Sequence, residues 1–154
     1  LNGKNVKDAQ ELLFRFATLP LDTKVKLSYK RGNTDRVAIF KTAAPVEFPP
    51  RQEILLNGTH PLNGMKIINV SPAVEIEYEL KNMSQGVIIS ETPERAGFFA
   101  GLSLRKGDGI LGINGVKVTD TKQLEKLLKK SEGSRSWALA IRRNGRDQNI
   151  VIRQ

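Results

Sequence analysis

Catalysis needs polar side chains of particular kinds held close together, and this sequence supplies few of them. It has one histidine, His60, set between Thr59 and Pro61, and no cysteine in 154 residues. Disulfides, thiolate chemistry and cysteine-based zinc sites are therefore excluded at once. A serine–histidine–carboxylate relay needs a base fixed beside a nucleophile on a rigid scaffold. A lone histidine in a proline-flanked stretch does not suggest one. No Gly-x-Ser-x-Gly elbow, His-Glu-x-x-His pair or phosphate-cradling glycine loop is present. Glu75, Glu77 and Glu79 are spaced carboxylates, but on a short surface element they read as solvated charge rather than metal ligands. No metal or other cofactor is expected, and this chain by itself is expected to be non-catalytic.

The formal charge of +9 is unevenly spread. Residues 1–41 carry nine basic and four acidic side chains, residues 42–112 six and eight, and residues 113–154 ten and four. Two basic ends of this kind could attract polyanions, yet few aromatics are interleaved with them and no nucleic-acid module is spelled out. Solvated strand and helix faces are the simpler reading, and no specific nucleic-acid partner is expected. No apolar run is long enough to span a bilayer, and no signal peptide opens the chain.

The two basic ends are copies of one another. Leu1-Asn2-Gly3, Val6, Asp8, Leu12, Val25, Leu27, Tyr29 and Arg31 recur at a constant offset as Ile113-Asn114-Gly115, Val118, Asp120, Leu124, Trp137, Leu139, Ile141 and Arg143. Each copy reads as an Asn-Gly turn, a helix opened by a capping box (Asp8 with Glu11, Asp120 with Gln123), and a hairpin. About fifty patterned residues precede the turn of the second copy, whereas nothing precedes that of the first. The chain is therefore expected to be part of a longer polypeptide: residues 1–41 the back half of one module, 42–61 a linker, and 62–154 a complete module. About forty residues rarely bury a sufficient core. The first half-module is expected to be poorly ordered, packed on the intact module, or exchanged with a second molecule, which would make a homo-oligomer.

Residues 42–61 hold four of the seven prolines, the composition of a linker. Phe48 and Ile54-Leu55-Leu56 are apolar enough that part of it should dock on a neighbouring surface. Beyond it, Leu62 to Val70 reads as a glycine-containing loop entering a β segment. Ser71-Pro72 supplies a helix start. The stretch from Val74 to Leu80 alternates like a strand but is capped like a helix, and a short helix is expected. Gly86 to Ile89 is a buried strand, Pro93 to Phe99 a short helix ended by Ala100-Gly101-Leu102, and Ile110 to Ile113 the strand that meets the Asn-Gly turn.

Taken in order, Gly86-Val87-Ile88-Ile89, Thr92-Pro93, Ala100-Gly101-Leu102, Lys106-Gly107-Asp108, Ile110-Leu111, Asn114-Gly115, Val118 and Leu124 resemble a bacterial PDZ domain. The kind is that which follows the protease domain in HtrA (Do-like) serine endoproteases. The resemblance spans nearly all of residues 62–154. Residues 1–41 resemble the back half of a preceding PDZ domain, and Pro49-Pro50-Arg51 through His60-Pro61-Leu62 looks like the junction between two such domains. One departure is the longer stretch Glu94 to Phe99, where the family usually runs directly into Ala-Gly-Leu.

The resemblance implies a mainly β fold with short helices, a partly open barrel or sandwich capped by two helices, plus an orphan helix–hairpin half-module. It also implies a peptide groove that works by strand addition. Asn63, Gly64 and Met65 would form a loop whose N–H groups receive a terminal carboxylate, Gly64 permitting the close approach. Lys66, Ile67 and Ile68 would offer the pairing edge, and Leu124, Leu127 and Leu128 the apolar wall for the last peptide side chain. Leucines at helical spacing serve equally well as plain core. The implied partners are hydrophobic C-terminal or unfolded peptide segments, and other subunits or the protease domain of a periplasmic quality-control serine protease. In that setting the groove is either a substrate receptor or an assembly contact.

Overall fold

A computed structural model describes residues 1–93 and 104–153. The expected helix at Pro93 to Phe99, its Ala100-Gly101-Leu102 end and the lengthened Glu94 to Phe99 stretch lie outside the described residues, Pro93 apart. The chain divides into two compact units, Leu1–Ala44 and Pro45–Gln154. The stretch read as a linker is thus shared out, most of it belonging to the second unit.

In the first unit, helix α1 (Ala9–Ala17) is followed by an antiparallel ribbon of β1 (Lys24–Arg31) and β2 (Thr34–Lys41). Asp8 caps α1, its carboxylate accepting the Glu11 N–H at 2.8 Å. The reciprocal bond runs from the Lys7 N–H to Glu11, also 2.8 Å, so it lands one residue before the cap. A helix on a two-stranded ribbon leaves much apolar surface with nothing to cover it. Val25 is the one buried hydrophobic side chain of this unit, and Phe16 stacks on Phe40 at 5.3 Å, while Leu13, Phe14, Val37 and Ile39 are each more than half exposed.

The second unit carries the larger, wholly antiparallel sheet. Its path is β3 (Ile54–Leu55), β4 (Lys66–Asn69), β5 (Val87–Glu91), β6 (Gly109–Ile113), β8 (Ser136–Arg143) and β9 (Arg146–Arg153), with β7 (Val116–Lys117) pairing only β6. Among the described residues this sheet is open, not closed into a barrel. The fold is mainly β with a few short helices.

Both faces of the middle of the sheet are covered, which is why Ile67-Ile68 in β4 and Val87-Ile88-Ile89 in β5 are apolar in succession rather than alternating. Ile67 pairs with Ile89, and both enter the main core with Ile110, Trp137, Leu139 and Ile141 under helix α3 (Thr121–Lys130). Their neighbours Ile68 and Ile88 pair in turn and enter a second cluster with Val70, Val74 and Met83. Val74 brings helix α2 (Pro72–Glu77) to that cluster. The ambiguous stretch after Ser71 is helical because Ser71 Oγ accepts the Val74 N–H at 3.3 Å and Pro72 begins the first turn. It ends before Leu80, with Glu79 at φ +50°.

The repeat is visible bond by bond. Asn114, at φ +49°, donates its N–H to Ala138 and accepts the Ala138 N–H on its side chain; Asn2, at the same φ, does both with Lys26. In α3, Asp120 accepts the Gln123 N–H and Gln123 accepts the Thr119 N–H, repeating the shifted capping box of α1. What differs is coverage. Helix α3 buries Thr121, Leu124 and Leu128, and α1 buries nothing. At the far end of the sheet, buried Asp108 receives two guanidinium bonds from Arg143, at 2.8 and 2.5 Å, and the Arg105 N–H at 2.8 Å.

Candidate functional site

The strand β4 and the helix α3 stand together as the resemblance implies, and one side chain fixes their relation. Asn69, the last residue of β4, is buried; its Oδ1 accepts the Thr121 N–H at 2.9 Å and its Nδ2 donates to the Pro50 carbonyl at 2.9 Å. An amide can do both because it presents an acceptor and donors on one planar group. It thereby satisfies one of the orphan N–H groups that every helix start leaves. Sequence reasoning passed over Asn69. The signal was there in a polar residue closing an apolar strand just before a Ser-Pro helix start.

The margin of β4 is not open. The edge expected to be free at Lys66 to Ile68 is taken by the protein's own strand β3, with Ile54 opposite Ile67 and Leu55 opposite Lys66. The pairing is extended at one end by Leu56 N–H to Met65 O at 2.9 Å and at the other by Asn69 N–H to Arg51 O at 2.7 Å. Segment 50–56 is docked because its apolar residues alternate correctly. Leu55 is half exposed, whereas Ile54 packs against the main core and Leu56 is fully inside it, in the cluster of Met65, Ile67, Leu124 and Leu128. Phe48, the other apolar residue of the stretch, is 75% exposed.

The loop donors expected to receive a carboxylate are also engaged. Asn63 N–H donates to His60 O at 3.1 Å, Gly64 N–H to Leu56 O at 2.7 Å and Met65 N–H to Leu62 O at 3.2 Å. Gly64 sits at φ +80°, and a Cβ there would lie 3.3 Å from the Pro93 ring, so the requirement for glycine is real. Asn63 itself accepts the Gly58 N–H at 3.0 Å. The expected residues thus divide. Gly64, Met65, Lys66 and Ile67 lie along β3 and its continuation, Leu124 and Leu128 share the cluster that encloses Leu56, Leu127 is half-buried at its margin, and Ile68 belongs to the opposite face.

His60 lies in the loop that joins β3 to β4. It is buried, its ring stands edge-on to Trp137 at 6.4 Å, and its Nδ1 has no hydrogen-bond partner. Burial lowers its pKa below the usual 6.5, against the smaller upward pulls of the Asn57 backbone and Glu132. Lys66 pairs with Glu91 at 2.7 Å, which raises its pKa. At the other end of the segment Arg51 bridges Glu47 and Glu77, at 2.6 and 2.5 Å. Among the described residues no cluster of three or more histidine or carboxylate side chains could hold a metal ion. No described helix is long and apolar enough to cross a membrane.

A sheet margin facing an apolar helix wall, with a glycine loop at one end, is built to hold an extended segment by main-chain bonds and one buried side chain. In this chain the segment held is its own. No significant match to a curated protein is found. The family model for the PDZ domain matches residues 64–153, from the loop glycine through the end of β9 and without β3. With that match laid over the β4–α3 arrangement, the chain belongs to the PDZ domain family, whose members are peptide-binding or protein-interaction modules.

Proposed function

We propose that this chain is the non-catalytic, peptide-binding region of a trypsin-like serine endoprotease of the HtrA type, acting in the periplasm. Its second unit takes hydrophobic C-terminal or extended peptides by strand addition between β4 and α3. The observation that carries the reading is the groove geometry. A segment running antiparallel to β4 buries one leucine, Leu56, in the core cluster that also holds Leu124, Leu128 and Met65, and sets its carbonyl on the Gly64 N–H. The order of motifs from Gly86 to Leu124 supports the protease context. A peptide ending in leucine with a free carboxylate should shift the amides of Gly64 to Asn69, with Kd of about 1–100 μM, and its amidated form should bind more weakly. Absence of any response across a broad library of C-terminal peptides would remove this reading.

One observation favours a second reading, an assembly contact within the same protease. All three loop N–H groups already have acceptors, which suits a surface that docks folded partners better than one that captures free chain ends. Concentration-dependent association that persists in Gly64→Glu would support it.

A further inference from the structure

We infer that residues 50–56 are an intramolecular ligand of the groove, so that a peptide enters only by displacing them; the inference rests on the peptide-binding reading above. Two features of the segment are those of a ligand. It runs antiparallel to β4 in the direction an added peptide would take. Its buried residue, Leu56, lies where a terminal side chain would lie, and its carbonyl receives the Gly64 N–H that a terminal carboxylate would receive.

The attachment has the character of a latch. The paired stretch is only two residues long, so most of the hold comes from Leu56 and from the bonds at its ends. Those end bonds run from Asn69 to Pro50 and Arg51, from Gly64 to Leu56, and between Gln52 and Thr121 at 3.4 Å. A tethered segment competes at the high effective concentration of a short linker. An external peptide then sees its affinity reduced by the fraction of molecules with the groove vacant. Arg51, held by Glu47 and Glu77, anchors the upstream end.

The absence of cysteine allows a clean clamp. Leu55 and Lys66 are directly opposed and their side chains are not buried, a relation suited to a cross-strand disulfide. The full chain carrying Leu55→Cys and Lys66→Cys would be titrated, oxidised and reduced, with the free-carboxylate peptide Arg-Gln-Glu-Ile-Leu-Leu, amide shifts being followed over Gly64 to Asn69 and Leu124 to Leu128. The reduced form is expected to bind at least about tenfold more tightly than the oxidised form. Leu56→Ala, which empties the pocket, should bind about tenfold or more tightly than the unaltered chain. Equal binding by the oxidised and reduced forms, with shifts at β4 and α3, overturns the intramolecular ligand and leaves the peptide-binding reading standing. Binding by none of the four proteins overturns both. If Leu56→Ala does not fold, the oxidised and reduced forms of the clamp decide alone.

Discussion

Replacing Asn69 by alanine tests how the groove is held together. The side chain is 4% exposed and makes two bonds of 2.9 Å, one from the Thr121 N–H and one to the Pro50 carbonyl. Thr121 is fully buried at the first turn of α3, so its N–H has no water to turn to once the amide is gone. A buried donor or acceptor left unpaired costs about 1–3 kcal/mol. Two such groups, one of them near the surface end of the segment, put Asn69→Ala at about 2–4 kcal/mol. Urea unfolding would measure the global loss. Amide exchange would locate it, with protection falling at Thr121 and at Gly64, whose bond to Leu56 depends on the segment staying in place. The backbone bond from Asn69 to Arg51 survives the substitution, so the segment loosens rather than departs. A loss under about 0.5 kcal/mol, with unchanged protection at Thr121, would mean that the amide does not hold α3 to β4.

Other perturbations follow from the same geometry. Asp108→Ala removes the buried carboxylate that accepts from the Arg143 guanidinium and the Arg105 N–H; thermal or urea unfolding should show a loss of about 1–3 kcal/mol. His60 gives stability a pH dependence. Burial holds its folded pKa below 6.5, so the unfolded chain takes up the extra proton and stability falls as pH drops from about 6.5 toward the folded value, by at most about 1.4 kcal/mol per pH unit. The groups around the ring are Glu132, the Asn57 backbone and the Trp137 ring. Urea midpoints at pH 7.5 and 5.5 should differ less in His60→Gln than in the unaltered chain. Asp120→Ala removes the cap of α3 and should cost about 1 kcal/mol on urea unfolding.

Much of the architecture was legible because local signals agreed with one another. Asp8 and Asp120 cap the helices their spacing announced, both Asn-Gly turns bind the strand that follows the capped helix in the same way, and the Ser71-Pro72 start outweighed the strand-like alternation that follows it. A cap acts at a fixed point in the chain, whereas alternation over seven residues fits more than one element. Leu13 and Phe14 of α1 and Val37 and Ile39 of β2 are exposed, whereas the corresponding α3 buries Leu124 and Leu128.

The groove was harder to see. Segment 50–56 sits in a proline-containing stretch and contributes two paired residues, too few to register as a strand. Its place is set by partners that are distant in sequence: Ile67, Met65, Asn69 and Thr121. Sequence patterning showed that Ile54-Leu55-Leu56 would dock, but not on what, and it assigned the edge of β4 to an outside peptide. The leucines posed a related difficulty. Leu124 and Leu128 are fully buried in the same cluster as Leu56, and spacing alone does not separate core from groove wall.

The most direct test of the central claim is amide chemical-shift mapping on the full chain with Leu56→Ala, titrated with a peptide that ends in leucine and a free carboxylate. Saturable shifts are expected, confined to Gly64 to Asn69 and to Leu124 to Leu128 and weakened when the peptide is amidated. Saturable shifts that fall elsewhere on the sheet, or none at any accessible concentration, would contradict it.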